Sequence, residues 1–162
     1  MQAGAQAIKI EGANHDICKT IEYVVQSGVP IMGHIGLTPQ SVHQLGGYVV
    51  QGRAEEQITK LLHQAEQLER AGCFAIVLEC VPGVVGKYIT DSLTIPTIGI
   101  GAGTDTDGQI LVWHDMLGLQ TEFKPRFVEY FVQGKQFLAT GIDAYVRAVQ
   151  NAHFPAIEHI FE

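Results

Sequence analysis

The chain has 162 residues, 46% apolar and 17% charged, which excludes intrinsic disorder and allows about one domain's worth of core. Ten Lys and Arg against seventeen Asp and Glu leave a formal charge of −7, so nucleic acid and membrane, whose anionic surfaces call for clustered positive charge, are not expected partners. No apolar run is long enough to span a bilayer, no secretory leader is visible, and Cys18, Cys73 and Cys80 lack CxxC spacing, a pattern expected of reduced thiols in the cytoplasm.

Five short runs rich in Ile and Val predict buried strands at residues 6–11, 30–36, 74–80, 96–101 and 109–114. Between them lie helical patterns. Residues 16–26 align Ile17, Ile21, Val24 and Val25 on one face. Residues 55–71 align Ile58, Leu61, Leu62, Ala65 and Leu68, with Gly72 just past the end. A shorter helix is predicted at 84–93, and residues 125–152 read as one or two helices ending before Phe154-Pro155. No linker or repeat divides the sequence, so 1–162 reads as a single domain.

Near-continuous apolar strands alternating with helices are the mark of an α/β fold built on a parallel sheet. An open doubly wound sheet and a (β/α)8 barrel both fit. Gly99, Gly101 and Gly103 stand too close together for a dinucleotide fingerprint, and residues 104–108 after them read as a turn. They either line a pocket wall or permit tight strand-to-loop packing. In a barrel, catalytic side chains stand at the C-terminal ends of several strands. Glu11, His34, Glu79 and His114 occupy those ends here.

Side chains of a strand alternate between faces, so Lys9 and Glu11 share one face and Ile8 and Ile10 the other. Two charges on an otherwise apolar strand are costly unless paired or bound to something. They mark either a solvated edge or a site, with a carboxylate for a hard cation and an ammonium for an anionic substrate. Glu79 closes the run Ile76-Val77-Leu78, and Pro82 ends the segment. Such a carboxylate suits a general base, and equally a capping or ion-paired role. His34 lies between Gly33 and Ile35-Gly36, where a ligand can approach it closely, although a core histidine satisfied by backbone has the same sequence context. His114 and Asp115 are placed to orient one another.

Several longer motifs occur in a fixed order. They are Lys9-Ile10-Glu11-Gly12, Gly33-His34-Ile35-Gly36-Leu37-Thr38-Pro39-Gln40-Ser41, Gly46-Gly47-Tyr48 with Val50-Gln51-Gly52-Arg53, Leu78-Glu79-Cys80-Val81-Pro82, and Ile98-Gly99-Ile100-Gly101-Ala102-Gly103 with Asp107-Gly108-Gln109. In order and spacing the sequence resembles the ketopantoate hydroxymethyltransferase family, from residue 1 to about Glu158. The resemblance implies a (β/α)8 barrel of the phosphoenolpyruvate/pyruvate type. It also implies Mg²⁺, with 5,10-methylenetetrahydrofolate as co-substrate, and a homo-oligomer acting on a small keto acid through a Mg-stabilised enolate. By the same resemblance Lys9 holds the keto acid, Glu11 belongs to the metal site, Glu79 is the proton acceptor and His34 lies in the substrate pocket.

The sequence departs from the family pattern at Ala13, where a second Gly is usual, and at Val49, where Lys is frequent. The five predicted strands match the family's fourth to eighth. A (β/α)8 chain runs to about 250 residues, so roughly 90, with further metal and keto-acid ligands, are expected outside this sequence. Two alternatives stand beside hydroxymethyl transfer: another keto-acid carbon–carbon bond enzyme of the same superfamily, needing no folate, and a non-catalytic fragment of such a barrel.

Overall fold

The computed structural model describes residues 3–120 and 122–161. The apolar runs form strands β1 (Ile8–Glu11), β2 (Ile31–Gly36), β3 (Ala75–Glu79), β4 (Thr97–Ile100) and a brief β5 (Gly108–Gln109). The helices are α1 (His15–Gln26), α2 (Glu55–Arg70), α3 (Gly83–Ser92), α4 (Trp113–Met116) and α5 (Gly134–Gln150). Single 3-10 turns occur at Pro39–Ser41 and Ile157–His159. Two compact units, Met1–Ile110 and Leu111–Glu162, divide the chain that reads in sequence as one domain.

In the first unit all five strands are parallel and lie in the order β1-β2-β3-β4-β5. A doubly wound sheet reverses its strand order at one point, and ligands bind there. This order never reverses, so the sheet is an arc of the barrel type and the doubly wound alternative is set aside.

The helices cover one face of that arc because their apolar stripes have the periodicity read in the sequence. Ile21 of α1, Leu61, Ala65 and Leu68 of α2, and Val85 and Ile89 of α3 are buried against Ile31, Ile35, Ile76 and Leu78. Truncating one such side chain, Leu68 for example, costs about 2–5 kcal/mol. α1 begins at Asn14, whose side chain accepts from the Ile17 N–H at 2.9 Å, an N-cap worth about 1 kcal/mol. The glycine run after β4 serves close packing. A Cβ on Gly103 would stand 2.6 Å from Gly83 Cα, and one on Gly86 would strike the Ala102 carbonyl oxygen. The loop therefore lies directly on the first turn of α3.

Two expectations change. The predicted fifth strand, 109–114, shrinks to Gly108–Gln109. The Ile110 N–H still donates to the Gly99 carbonyl at 3.0 Å, but beyond it the chain turns into α4, where the Trp113 and His114 rings lie 3.9 Å apart between centroids. His114 is thus a residue of a short helix in the second unit and not of a strand end. The helical reading of 125–152 holds only from Gly134. At that point the backbone N–H groups of Gly134 and Lys135 donate to the carbonyls of Leu117 and Gly118, and a side chain on Gly134 would strike the Leu117 oxygen. No described helix is long and apolar enough to cross a membrane.

Candidate active site

Residues paired across parallel strands point to the same face. Lys9 pairs with Met32, Glu11 with His34, His34 with Val77, and Gly36 with Glu79. Gly33 and Ile76 pair on the opposite phase, where Ile76 lies in the helix-packed core. Lys9, Glu11, His34, Val77 and Glu79 therefore all project from the face away from the helices, in the phase read from the sequence.

The structure brings three of the predicted site residues together. His34 is 1% exposed, with Nε2 3.2 Å from Glu79 Oε2 and Nδ1 3.8 Å from Glu11 Oε1. The first separation is within ion-pair reach, yet neither imidazole nitrogen makes a geometrically sound hydrogen bond. A buried polar group left unsatisfied costs about 1–3 kcal/mol. A core histidine satisfied by backbone, the bland alternative for His34, is not what is seen. The imidazole is instead held between two carboxylates that are themselves only 11% and 16% exposed.

Local backbone geometry holds these groups. Glu11 Oε2 accepts from the Gln40 N–H at 3.0 Å, so the 3-10 turn after β2 reaches back to β1. The Gly12 N–H donates to the His34 carbonyl at 2.8 Å, and the Leu37 N–H to the Glu79 carbonyl at 2.8 Å. Each exit loop is thereby tied to the end of the neighbouring strand. Gly36 sits at φ +91°, and a side chain there would collide with the Glu79 carbonyl. Cys80, next to Glu79, has φ 49°, a left-handed conformation that costs a non-glycine residue about 1–2 kcal/mol and is typical of functional sites. Burial, with the Glu79 carboxylate beside it, pushes the Cys80 thiol up to about 11. The Cys73 thiol is likewise pushed up to about 11, chiefly by burial.

Lys9 shares the face without joining the cluster. It is exposed, and its side chain makes no hydrogen bond or ion pair among the described residues. Nor do Lys9, Glu11, His34 and Glu79 line one cavity. A cleft of about 340 Å³ opens at the C-terminal ends of β1 and β2 with Glu11 in its wall, but it excludes Lys9, His34 and Glu79. The cleft spreads toward α1 and α2, with Asn14, Ile17, Gln57 and Gln64 in its wall.

Among the described residues no three His, Cys, Asp or Glu side chains converge to hold a metal ion. Glu11 offers one carboxylate, with Oε2 occupied by the Gln40 N–H and Oε1 turned toward His34. Mg²⁺ is usually held by one or two carboxylates together with its own waters and substrate oxygens, so this donor set fits a partly hydrated Mg²⁺ and not a closed protein cage.

Two contributors escape a reading by residue type. Gln40 acts through its backbone, which carries no side-chain signal. Asp107 accepts from the Thr97 N–H at 2.8 Å and from Thr97 Oγ1 at 3.1 Å, while Thr97 Oγ1 lies 2.7 Å from Thr90 Oγ1. This network ties the start of β4 to α3 and to the turn before β5.

A family model described as ketopantoate hydroxymethyltransferase matches residues 1–157. The chain is 63% identical over 161 residues to a 3-methyl-2-oxobutanoate hydroxymethyltransferase of Legionella pneumophila (strain Corby), covering 99% of this chain and 62% of that protein. It is 51% identical over 162 residues to the protein of the same name from Francisella tularensis subsp. holarctica (strain OSU18), covering 100% of this chain and 61% of that one. Among solved structures, the YdjI aldolase from Escherichia coli K12 is similar at a TM-score of 0.40 and 17% identity, over 71% of this chain and 47% of that one. The chain spans about 62% of the length of the Legionella relative.

Proposed function

We propose, because this chain belongs to the ketopantoate hydroxymethyltransferase family, that its strand-end site removes the C3 proton of 3-methyl-2-oxobutanoate so that C3 takes a one-carbon unit from 5,10-methylenetetrahydrofolate. The product is 2-dehydropantoate, an intermediate of pantothenate biosynthesis. The observation that carries this reading is the Glu79 carboxylate, 3.2 Å from a buried His34 nitrogen and on the same sheet face as Glu11.

Each residue has a role that its chemistry supports. Glu79 accepts the proton as the C3–H bond breaks, and the electron pair passes into conjugation with the keto group. His34, with two unsatisfied nitrogens, offers a polar partner to the keto acid and holds Glu79 in place. Lys9, exposed on the same face and unpaired among the described residues, offers its ammonium to the substrate carboxylate. Glu11 would hold Mg²⁺, which when bound supplies positive charge favouring electron density on the keto oxygen. C3 then bonds to the methylene carbon of the folate, water supplies the hydroxyl oxygen, and tetrahydrofolate departs. With this reading go a cytoplasmic location and assembly as a homo-oligomer.

The test is a transfer assay with 3-methyl-2-oxobutanoate, 5,10-methylenetetrahydrofolate and Mg²⁺, followed by mass spectrometry. The reading predicts 2-dehydropantoate that depends on all three. A carbon–carbon bond made or broken without folate would favour the folate-independent alternative, and no turnover of the keto acid would favour a non-catalytic fragment.

A further inference from the structure

β3 ends at Glu79, and the two residues after it break the alternation that the strand sets up. Side chains at i and i+2 of a strand share a face, so a strand continued past Glu79 would put Val81 beside the Glu79 carboxylate. Val81 is instead 3% exposed, in the helix-packed core with Leu61, Val85 and Ile89. The phase changes at Cys80, whose φ of 49° is one of two left-handed non-glycine backbones among the described residues. The other, Ala152, lies just past the end of α5, where helices commonly adopt that conformation. Cys80 has no helix end to account for it.

Three backbone hydrogen bonds hold this turn. The Cys80 N–H donates to the Ile100 carbonyl at 2.9 Å, the Cys80 carbonyl accepts from the Gln51 N–H at 2.9 Å, and the Glu79 carbonyl accepts from the Leu37 N–H at 2.8 Å. The partners belong to the end of β4, the segment before α2 and the exit of β2, so residues 79 and 80 are fixed from three elements. Backbone strain persists only where its surroundings over-determine it, and it gathers where geometry serves function. The Glu79 side chain is only 16% exposed, so its accessibility depends on what stands next to it. With Val81 turned into the core, Glu79 is the last side chain of β3 on the site face.

We infer that Cys80 is a positioning residue for proton abstraction: its left-handed backbone, and not its thiol, turns Val81 into the core and leaves the Glu79 carboxylate open to the keto acid. The inference rests on the role proposed above for Glu79 and adds the residue that sets the approach to it.

The experiment compares Cys80→Ala, Cys80→Gly and Cys80→Val by deuterium uptake at C3 of 3-methyl-2-oxobutanoate with Mg²⁺ present, by calorimetric keto-acid affinity and by circular dichroism. Ala lacks the thiol but meets the same left-handed cost as Cys, so uptake should stay within about twofold of wild type. Gly, free in this region, should do the same. Val is β-branched and a genuine outlier at positive φ, so uptake should fall at least about tenfold while keto-acid affinity stays within about twofold. Should Cys80→Val fail to fold, Cys80→Thr, β-branched and smaller, takes its place with the same expectation. Loss of uptake in Cys80→Ala would assign the effect to the thiol and overturn the inference. Wild-type uptake in the folded β-branched variant would overturn it while the role of Glu79 stands, and equal loss of affinity and uptake there would overturn it as a general disturbance of the site. A wild-type chain that binds the keto acid without uptake at C3 would end the Glu79 reading and this inference with it.

Discussion

Replacing Gly36 by Ala perturbs the site through one added methyl group. Gly36 ends β2 at φ +91°, where an L-residue pays about 1–2 kcal/mol for the left-handed backbone. The new Cβ would also overlap the Glu79 carbonyl oxygen and approach Val81 Cγ1 to 3.0 Å. Backbone on a central strand cannot retreat as a flexible side chain can, so an overpacking cost of about 1–3 kcal/mol adds to the strain. The sum, about 2–5 kcal/mol, is a large share of a typical domain's stability. For a unit of this size it corresponds to a fall in Tm of about 10–25 °C. Relief of the clash moves the Glu79 carbonyl away from the Leu37 N–H that it accepts at 2.8 Å, so the proposed base shifts with it. Thermal unfolding followed by far-ultraviolet circular dichroism measures the effect. A Tm within about 2 °C of wild type would refute the claim that Gly36 is required by this contact.

Asp107→Ala leaves the buried Thr97 N–H and hydroxyl without their carboxylate. Chemical denaturation should show a loss of about 1–3 kcal/mol with an unchanged m-value. The Cys73 and Cys80 thiols, pushed up to about 11 by burial, keep their protons to higher pH in the folded chain than in the unfolded one. The folded state therefore binds more protons above the ordinary thiol range, and this contribution to stability is intact below that range and lost as pH rises toward 11. Denaturation midpoints across this interval check it, and both thiols should react slowly with a disulfide reagent near about pH 8 until the chain is unfolded. Glu11→Ala should weaken Mg²⁺ binding by at least about tenfold in a calorimetric titration, because a hard cation loses an anionic oxygen; unchanged affinity would make Glu11 structural.

The strands and the face of each charged residue are legible in sequence because both depend on short-range periodicity. Lys9 and Glu11 flank Ile10, and the side of Ile10 is decided by the apolar stripes of α1 and α2, which are also periodic. His34 and Glu79 follow by the same argument, since parallel register carries the phase from strand to strand. The predicted fifth strand fails for a different reason. Ile110-Leu111-Val112 has the composition of a strand, but pairing with β4 stops within one residue of Gln109 and the chain enters α4. Composition describes what a segment tolerates and not what lies beside it. The Gln40 N–H on Glu11 and the packing of Gly103 on Gly83 join residues far apart in sequence, and the first involves no side chain of Gln40. The cleft near α2 is hidden for a similar reason: Gln57 and Gln64 are ordinary solvent-facing helix residues by pattern, and only the loop after β2 encloses them.

The central claim is that Glu79, set against the buried His34, takes the C3 proton of the keto acid. Deuterium uptake at C3 of 3-methyl-2-oxobutanoate, followed by proton NMR in D₂O with Mg²⁺ present, measures that step without the folate. Glu79→Gln keeps the shape of the side chain but cannot accept a proton. The account predicts uptake with the wild-type chain and its loss in Glu79→Gln, with keto-acid affinity within about twofold of wild type. Exchange in Glu79→Gln at the wild-type rate would contradict it.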